Sequence, residues 1–235
     1  MKKQAVFFDL DGTLLPMDYD LFIKYYFGAL AKKMAPHGYE PESLIKAIWT
    51  GTKAMQLNDG AVFNTTQFWD KFAELFGEHV RVHEPILDDF YRNEFIAAKQ
   101  SCGFSPKAKE AVKLVREKRM KCVLATNPIF PMVATDARLR WAGLVPEDFD
   151  WITTYDNSRW CKPNPEYYRE ICGKLDLDPQ RCVMVGNDVT EDMAAEKLGM
   201  ETFLLTDCLL NKDELDITRY TCGGFDELIR WIENL

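Results

Sequence analysis

Near its N-terminus the chain reads Ala5-Val6-Phe7-Phe8-Asp9-Leu10-Asp11-Gly12-Thr13, a short apolar run followed at once by two acids and a glycine. Four consecutive apolar residues, two of them aromatic, are typical of a parallel strand that is buried on both faces. Carboxylates at the end of such a strand are costly to desolvate unless a partner compensates their charge. The pattern therefore indicates a metal ion or a reacting group beside Asp9 and Asp11. The alternative is an acidic turn that only connects two elements.

The composition is that of an ordinary globular protein. The chain has 235 residues, of which 47% are hydrophobic and 28% charged, enough for one large domain or a core with a smaller module. A net charge of −8 with scattered Lys and Arg argues against a nucleic-acid partner. No apolar stretch reaches the roughly 18–20 residues of a membrane span, and no signal peptide is apparent. Seven cysteines without a Cys-x-x-Cys pair indicate reduced thiols, so we expect a cytoplasmic protein.

The first part of the chain has a helical texture. From about Met17 to Ala98, apolar residues recur at helical spacing and predict four amphipathic helices that pack as a bundle. Asp18 or Asp20 is the expected cap of the first helix, and the fourth is expected to include Phe95. We therefore predict an inserted helical domain over residues 16–98.

From Ser105 onward, helices and strands alternate. Apolar runs at 121–126, 151–154, 182–185 and 202–205 predict four more strands after the opening one, and the run at 202–205 is expected to be the last strand. A helix is predicted over 192–198, between the last two of these strands. Such alternation predicts an α/β fold with a doubly wound parallel sheet, to which the opening strand also belongs. The predicted core domain is thus residues 1–15 together with 99–235.

Unusual polar residues follow several of these strands. Thr126-Asn127 follows the second strand, Lys162 lies in a proline-rich loop, and the loop from Gly186 to Asp192 follows Val183-Met-Val185. Because the carboxyl ends of parallel strands lie along one edge of a sheet, we expect these residues to meet the two acids of the opening motif. Each could be merely structural on its own. Together they provide carboxylates for a divalent cation, a hydroxyl and an amide for an anion, and a lysine to balance charge, as phosphoryl transfer requires.

These motifs resemble those of the haloacid dehalogenase (HAD) superfamily of phosphohydrolases over essentially the full chain. The D-x-D-G-T motif, the hydroxyl residue, the lysine and the acidic loop occur in the order of that superfamily, and the helical insertion is similar in position and size to its C1-type cap. The resemblance implies a Rossmann-like core with an α-helical cap. It also implies a Mg²⁺-dependent phosphatase that hydrolyses a small phosphorylated metabolite through an aspartyl-phosphate.

The resemblance further implies individual roles. Asp9 would be the nucleophile, and Asp11 would protonate the leaving alcohol and then activate water. Mg²⁺ would be held by the Asp9 carboxylate, the Asp11 main-chain carbonyl and Asp188. The groups that would bind the phosphoryl oxygens are Thr126, Asn127, Lys162 and the backbone amides near Leu10 and Asn127.

The chain departs from the family pattern in the acidic loop, where Asn187 stands in place of the aspartate of many relatives. Asp188 is the favoured metal ligand, Asp192 is the alternative or a supporting residue, and the Asn187 amide oxygen is a third candidate.

Three functional questions remain open on the sequence. A phosphomutase of the same superfamily and a catalytically idle regulatory protein are the alternatives to a phosphatase. The cap aromatics could be packing residues or could favour an apolar or ring-bearing leaving group; they include Tyr19, Phe22, Tyr25, Tyr26 and Trp49. The substrate and the oligomeric state are not determined by the motifs.

Overall fold

The core is a six-stranded parallel sheet. The computed structural model describes residues 2–235, and its strands are arranged in the order β3-β2-β1-β4-β5-β6. Their bounds are β1 Ala5–Phe8, β2 Lys121–Leu124, β3 Trp151–Ile152, β4 Cys182–Gly186, β5 Glu201–Leu205 and β6 Thr221–Gly223. The first strand lies between β2 and β4, so the strand order reverses there, which is where ligands bind in sheets of this kind. The predicted α/β class with a parallel sheet is confirmed.

Helices cover both faces of the sheet. The core helices are α5 Pro106–Glu117, α6 Met132–Trp141, α7 Pro165–Leu175 and α8 Phe225–Glu233. Alternate residues of β1 serve the two faces: Val6 and Phe8 pack in the same cluster as α5 and α8, whereas Phe7 packs with α7. All four residues of β1 are fully buried, which explains why this strand carries an unbroken apolar run.

A helical cap is inserted after the first strand. Its helices are α1 Tyr19–Met34, α2 Pro41–Gln56, α3 Asn64–Phe76 and α4 Glu84–Arg92. The Asp18 side chain caps α1 by accepting a hydrogen bond from the Leu21 amide at 3.0 Å, as the sequence predicted. The chain enters and leaves the cap side by side, since Met17 bridges Cys102 and the Gly103 amide donates to the Pro16 carbonyl at 2.8 Å. This geometry supports the predicted insertion.

Several predicted elements were wrong in extent. The fourth cap helix does not include Phe95: it ends at Arg92, because the Asn93 side chain bonds back to Asp89, and a 3-10 helix follows over Glu94–Ser101. The helix expected over 192–198 is a six-residue 3-10 helix, Met193–Leu198, which ends at the left-handed Gly199.

Two strand predictions also require correction. The strand expected over 151–154 stops at Ile152, and the Thr153 side chain instead bonds the carbonyls of Leu124 and Thr126. The run at 202–205 is not the final strand, because β6 pairs with it at the sheet edge. The three residues of β6 are exposed or half-buried and so lack an apolar pattern. Within residues 2–235 no helix is long and apolar enough to cross a membrane.

Candidate active site

The opening motif is fixed at the carboxyl edge of the sheet by backbone hydrogen bonds to its neighbours. The Asp9 amide donates to the Val185 carbonyl of β4 at 2.9 Å, and the Ala125 amide donates to the Phe8 carbonyl at 2.7 Å. The turn then requires Gly12, whose φ is +83° and where an added Cβ would lie 2.3 Å from the Asn187 side-chain nitrogen. The glycine thus permits both the turn and the close approach of the acidic loop.

The Asp9 carboxylate is held from both sides. Its Oδ1 accepts a hydrogen bond from Lys162 Nζ at 2.8 Å, and its Oδ2 lies 3.2 Å from the Thr13 hydroxyl. That hydroxyl also lies 2.9 Å from Asn187 Oδ1, and the Asn187 amide nitrogen donates to the Cys208 carbonyl at 2.7 Å. Asp9 is therefore a preorganised carboxylate with little freedom to rotate.

Lys162 is a buried cation between two acids. Its Nζ donates to Asp9 at 2.8 Å and to Asp192 Oδ1 at 2.6 Å, and its side chain is 1% exposed. Burial lowers the pKa of Lys162, but Asp192 and Asp9 together outweigh burial and hold the pKa well above its ordinary value. The ammonium group is thus permanently charged.

The acidic loop distinguishes its two aspartates. Both oxygens of Asp192 are engaged, Oδ1 by Lys162 and Oδ2 by the Asp188 amide at 3.0 Å. A side chain at Gly186 would lie 2.1 Å from Asp192 Oδ2, so this glycine permits the contact. Asp188 uses only Oδ1, which accepts from the amides of Thr190 and Glu191 at 2.8 and 2.9 Å. Within residues 2–235, Asp188 Oδ2 has no hydrogen-bond partner.

Thr126 and Asn127 lie at the end of β2 beside Lys162. The Asn127 side chain accepts from the Lys162 amide at 3.2 Å and donates to Glu191 at 2.9 Å. The Thr126 carbonyl is fixed by the Tyr167 hydroxyl at 2.9 Å. Over the described chain, the backbone amides of Leu10 and Asn127 have no protein acceptor, which leaves them available for an anion.

Arg138 is a site residue that the sequence reasoning missed. It lies on α6, is 1% exposed, forms an ion pair with Asp11 Oδ2, and has its guanidinium 4.4 Å from the centre of the Phe130 ring. Burial raises the pKa of Asp11, and the charge of Arg138 opposes that rise. The available signal was positional: Ala134, Arg138 and Ala142 recur every four residues, which places the arginine in an apolar helix stripe.

Residues 3–199 match the family described as haloacid dehalogenase-like hydrolase. The chain belongs to this family. Its predicted enzyme class, a HAD-type phosphoric monoester hydrolase, is confirmed.

Two phosphatases are similar in sequence to most of the hydrolase. It is 23% identical over 214 residues to a phosphoglycolate phosphatase of Psychrobacter arcticus, covering 88% of this chain and 84% of the relative. It is 25% identical over 207 residues to a ribulose-1,5-bisphosphate 5-phosphatase of Halopiger xanaduensis, covering 85% and 83%. A solved structure of a HAD phosphatase from Thermococcus onnurineus is similar with a TM-score of 0.59 at 18% identity, covering 97% of both chains, and shows the shared fold.

The residues of the hydrolase fit a Mg²⁺ ion. No three His, Cys, Asp or Glu side chains converge as a complete metal cage anywhere in residues 2–235. Mg²⁺ does not need one, because it is usually bound by one or two carboxylates together with waters and substrate phosphate. The free Asp188 oxygen and the Asp9 carboxylate provide oxygen donors and negative charge at one edge, and the buried Asp11 Oδ1 beside them lacks a hydrogen-bond partner.

A cavity of about 1030 Å³ lies between the cap and this edge of the sheet. Asp9 and Asp11 contribute to its lining, and so do side chains from α1, α2 and α3 of the cap. Cavities of this size hold complete small-molecule ligands. A substrate phosphate at Asp9 would thus place the rest of the molecule against the cap.

Proposed function

We propose that the hydrolase is a Mg²⁺-dependent phosphatase that hydrolyses a small phosphate ester through an aspartyl-phosphate on Asp9. The observation that carries this proposal is the fixed Asp9 carboxylate in the cavity lining, paired with Lys162 at 2.8 Å and two residues from Asp11, whose Oδ1 is buried without a hydrogen-bond partner. A carboxylate held in one orientation is suited to in-line attack on phosphorus.

The reaction proceeds in two displacements. An Asp9 oxygen attacks phosphorus as the bond from phosphorus to the leaving oxygen breaks, and protonated Asp11 gives its proton to that oxygen, releasing the alcohol. Asp11 then takes a proton from water, whose oxygen attacks phosphorus and releases inorganic phosphate while the bond to Asp9 breaks. Asp11 ends the cycle protonated, as it began.

Other groups would stabilise the phosphoryl oxygens. Lys162 is charged and lies next to the reacting carboxylate, and Thr126 and the amides of Leu10 and Asn127 line the same edge. Asp9, Asp188 and the Asp11 main-chain carbonyl are the residues that would hold Mg²⁺. Bound there, the ion would offset the charge of the phosphate and the carboxylates. Asp188 is preferred to Asp192 because one Asp188 oxygen is free, whereas the Asp192 side chain is 1% exposed and both of its oxygens are engaged.

The test is phosphate release from a panel of phosphate monoesters with Mg²⁺ and with EDTA, using the wild type, Asp9→Asn and, as control, Asp20→Asn, which changes an exposed acid on α1. We expect turnover that requires Mg²⁺, is abolished in Asp9→Asn and is unchanged in Asp20→Asn. Release that survives Asp9→Asn would contradict the aspartyl-phosphate route. Phosphoryl exchange that needs a bisphosphate primer would instead identify a mutase, and binding without turnover would identify an idle protein.

A further inference from the structure

Much of the cavity lining forms an aromatic and apolar wall. Cap helices contribute most of it, with Phe130 and Tyr155 on the core side. The cap residues concerned include Phe22, Tyr26, Phe27, Trp49, Phe68 and Trp69. Most of these pack on one another, but Trp49 is 45% exposed, with its ring 5.5 Å from that of Phe27. An apolar group bound there would cover surface that water now contacts.

Cations along this cavity are already neutralised. Arg81 is bonded to Asp70 at 2.6 Å, Arg92 to Asp88 at 2.8 Å, and Arg140 to Asp136 at 3.0 Å. A leaving group with its own carboxylate or second phosphate would have to compete with these acids for an arginine. Across residues 2–235, Lys212 is the remaining lining cation.

The position of Lys212 follows from its loop. The Leu210 amide donates to the Asn187 carbonyl at 2.9 Å, which fixes this loop beside the acidic motif. The Lys212 ammonium lies 5.8 Å from the ring of Tyr19, whose pKa is raised to about 12 by burial and by nearby Asp11. Lys212 therefore lies in a loop fixed beside the acidic motif, where the phosphate would bind.

The lining also contains acids that have no ion-pair partner among the described residues. Asp156 and Glu84 are the two of these that lie outside the acidic loop. Burial raises the pKa of Asp156, and the charges of Glu84 and Asp88 add to this effect. A second anionic group on the substrate would meet repulsion here.

We propose that the leaving group of the substrate is an uncharged, predominantly apolar alcohol, bulky enough to reach the aromatic wall. This inference rests on the proposed phosphatase function. It separates the hydrolase from enzymes whose leaving groups carry a carboxylate or a second phosphate. A leaving group of only a few atoms would leave most of the cavity, about 1030 Å³, unfilled.

The test uses three phosphate monoesters of primary alcohols with the same chain length, ending in a phenyl ring, a carboxylate or a trimethylammonium group. Because the reacting alcohol is the same in each, differences in kcat/KM report recognition of the far end. We expect the phenyl ester to exceed each charged ester by at least about tenfold, equivalent to roughly 1.4 kcal/mol. Preference for either charged ester would overturn the inference and leave the phosphatase proposal intact. Failure to hydrolyse any monoester, including those of the wider panel, would refute the phosphatase proposal itself.

A matched pair of variants tests the aromatic wall. Trp49→Ala removes a partly exposed wall residue, and Leu75→Ala removes an apolar residue of α3 that is 50% exposed and lies outside the cavity lining. For the phenyl ester, Trp49→Ala should lower kcat/KM about tenfold through KM, as loss of an aromatic contact predicts. The carboxylate ester should be unaffected, and Leu75→Ala should resemble the wild type. An equal loss for both esters in Trp49→Ala would contradict recognition by this wall.

Discussion

Replacing Arg138 with methionine should destabilise the hydrolase and shift the pH dependence of its second chemical step. The change removes a guanidinium that is 1% exposed and pairs with Asp11, whose side chain is 21% exposed. Methionine keeps much of the volume, so the loss is chiefly electrostatic. Arg140→Met is the matched control, because Arg140 lies on the same helix but pairs with Asp136 at the surface.

The magnitude follows from the burial of the pair. Removing one partner of a fully buried ion pair costs about 3–5 kcal/mol, because the other charge remains uncompensated. Asp11 is partly exposed and can share its charge with water, so we expect about 2–3 kcal/mol for Arg138→Met. Arg140→Met should have no measurable effect, since exposed i,i+4 pairs contribute little.

The sign of the pH dependence is set by Asp11. Burial raises its pKa, Arg138 lowers it, and loss of Arg138 therefore raises the pKa further. In the variant, folded Asp11 keeps its proton up to a higher pH than unfolded Asp11 does. Stability therefore falls as pH rises from the unfolded pKa to the raised folded pKa. The difference from the wild type should be larger at about pH 8 than at about pH 5.

Urea unfolding of the two variants and the wild type at both pH values, without metal, measures this difference. With Mg²⁺ and substrate, pre-steady-state phosphate release supplies a second readout. Because Asp11 must be ionised to activate water, Arg138→Met should accumulate aspartyl-phosphate at neutral pH and release phosphate faster as pH rises. Equal stability losses in both variants, or an unchanged pH profile in Arg138→Met, would refute this account of the ion pair.

Two further predictions use matched pairs. Gly12→Ala should lower the free energy of unfolding by at least about 2 kcal/mol, because φ is +83° and the new Cβ would clash with Asn187. Gly28→Ala, in an open helical position, should instead raise the free energy of unfolding by about 0.5–1 kcal/mol. Thermal unfolding of the two variants measures this difference. Asp188→Asn should raise the Mg²⁺ concentration for half-maximal activity at least about tenfold with little change in metal-free stability. Asp192→Asn should instead lower metal-free stability by about 1–3 kcal/mol, and the reverse pattern would assign the metal to Asp192.

The meeting of Asp9 with the acidic loop could be predicted from the sequence, because both directly follow strands of one parallel sheet. β1 and β4 are uninterrupted apolar runs, and in a parallel sheet whatever follows them must meet at one edge. Asp9 and the acidic loop must therefore lie together at the carboxyl edge of the sheet. Lys162 follows no strand directly, so it was expected at this edge only because its loop lies between the third strand and the next helix; its role in binding phosphoryl oxygens came from the family resemblance.

Three features could not be predicted from the sequence: the metal ligand within the acidic loop, the partner of Arg138, and strand β6. Asn187, Asp188 and Asp192 have similar chemistry, and only their contacts separate them: two are engaged by neighbouring groups, while Asp188 keeps one oxygen free. Arg138 could be suspected from its helix stripe, but no local pattern identifies a partner that is 127 residues away. β6 was missed because edge strands of three residues carry no apolar periodicity.

The balance of charge at the site explains why a cation and the substrate should enter together. Lys162 and Arg138 are each already bonded to a carboxylate, so neither can fully neutralise a phosphate ester. The four acids Asp9, Asp11, Asp188 and Asp192 outnumber these two cations at the same edge, so the site repels an anion. A divalent cation held by Asp188 and Asp9 would offset that negative charge. The aromatic wall contributes no charge, so affinity for the ester should depend on Mg²⁺ at the phosphate and on apolar contact at the leaving group. These two contributions should be separable, with removal of Mg²⁺ weakening all esters alike and loss of Trp49 weakening only apolar ones.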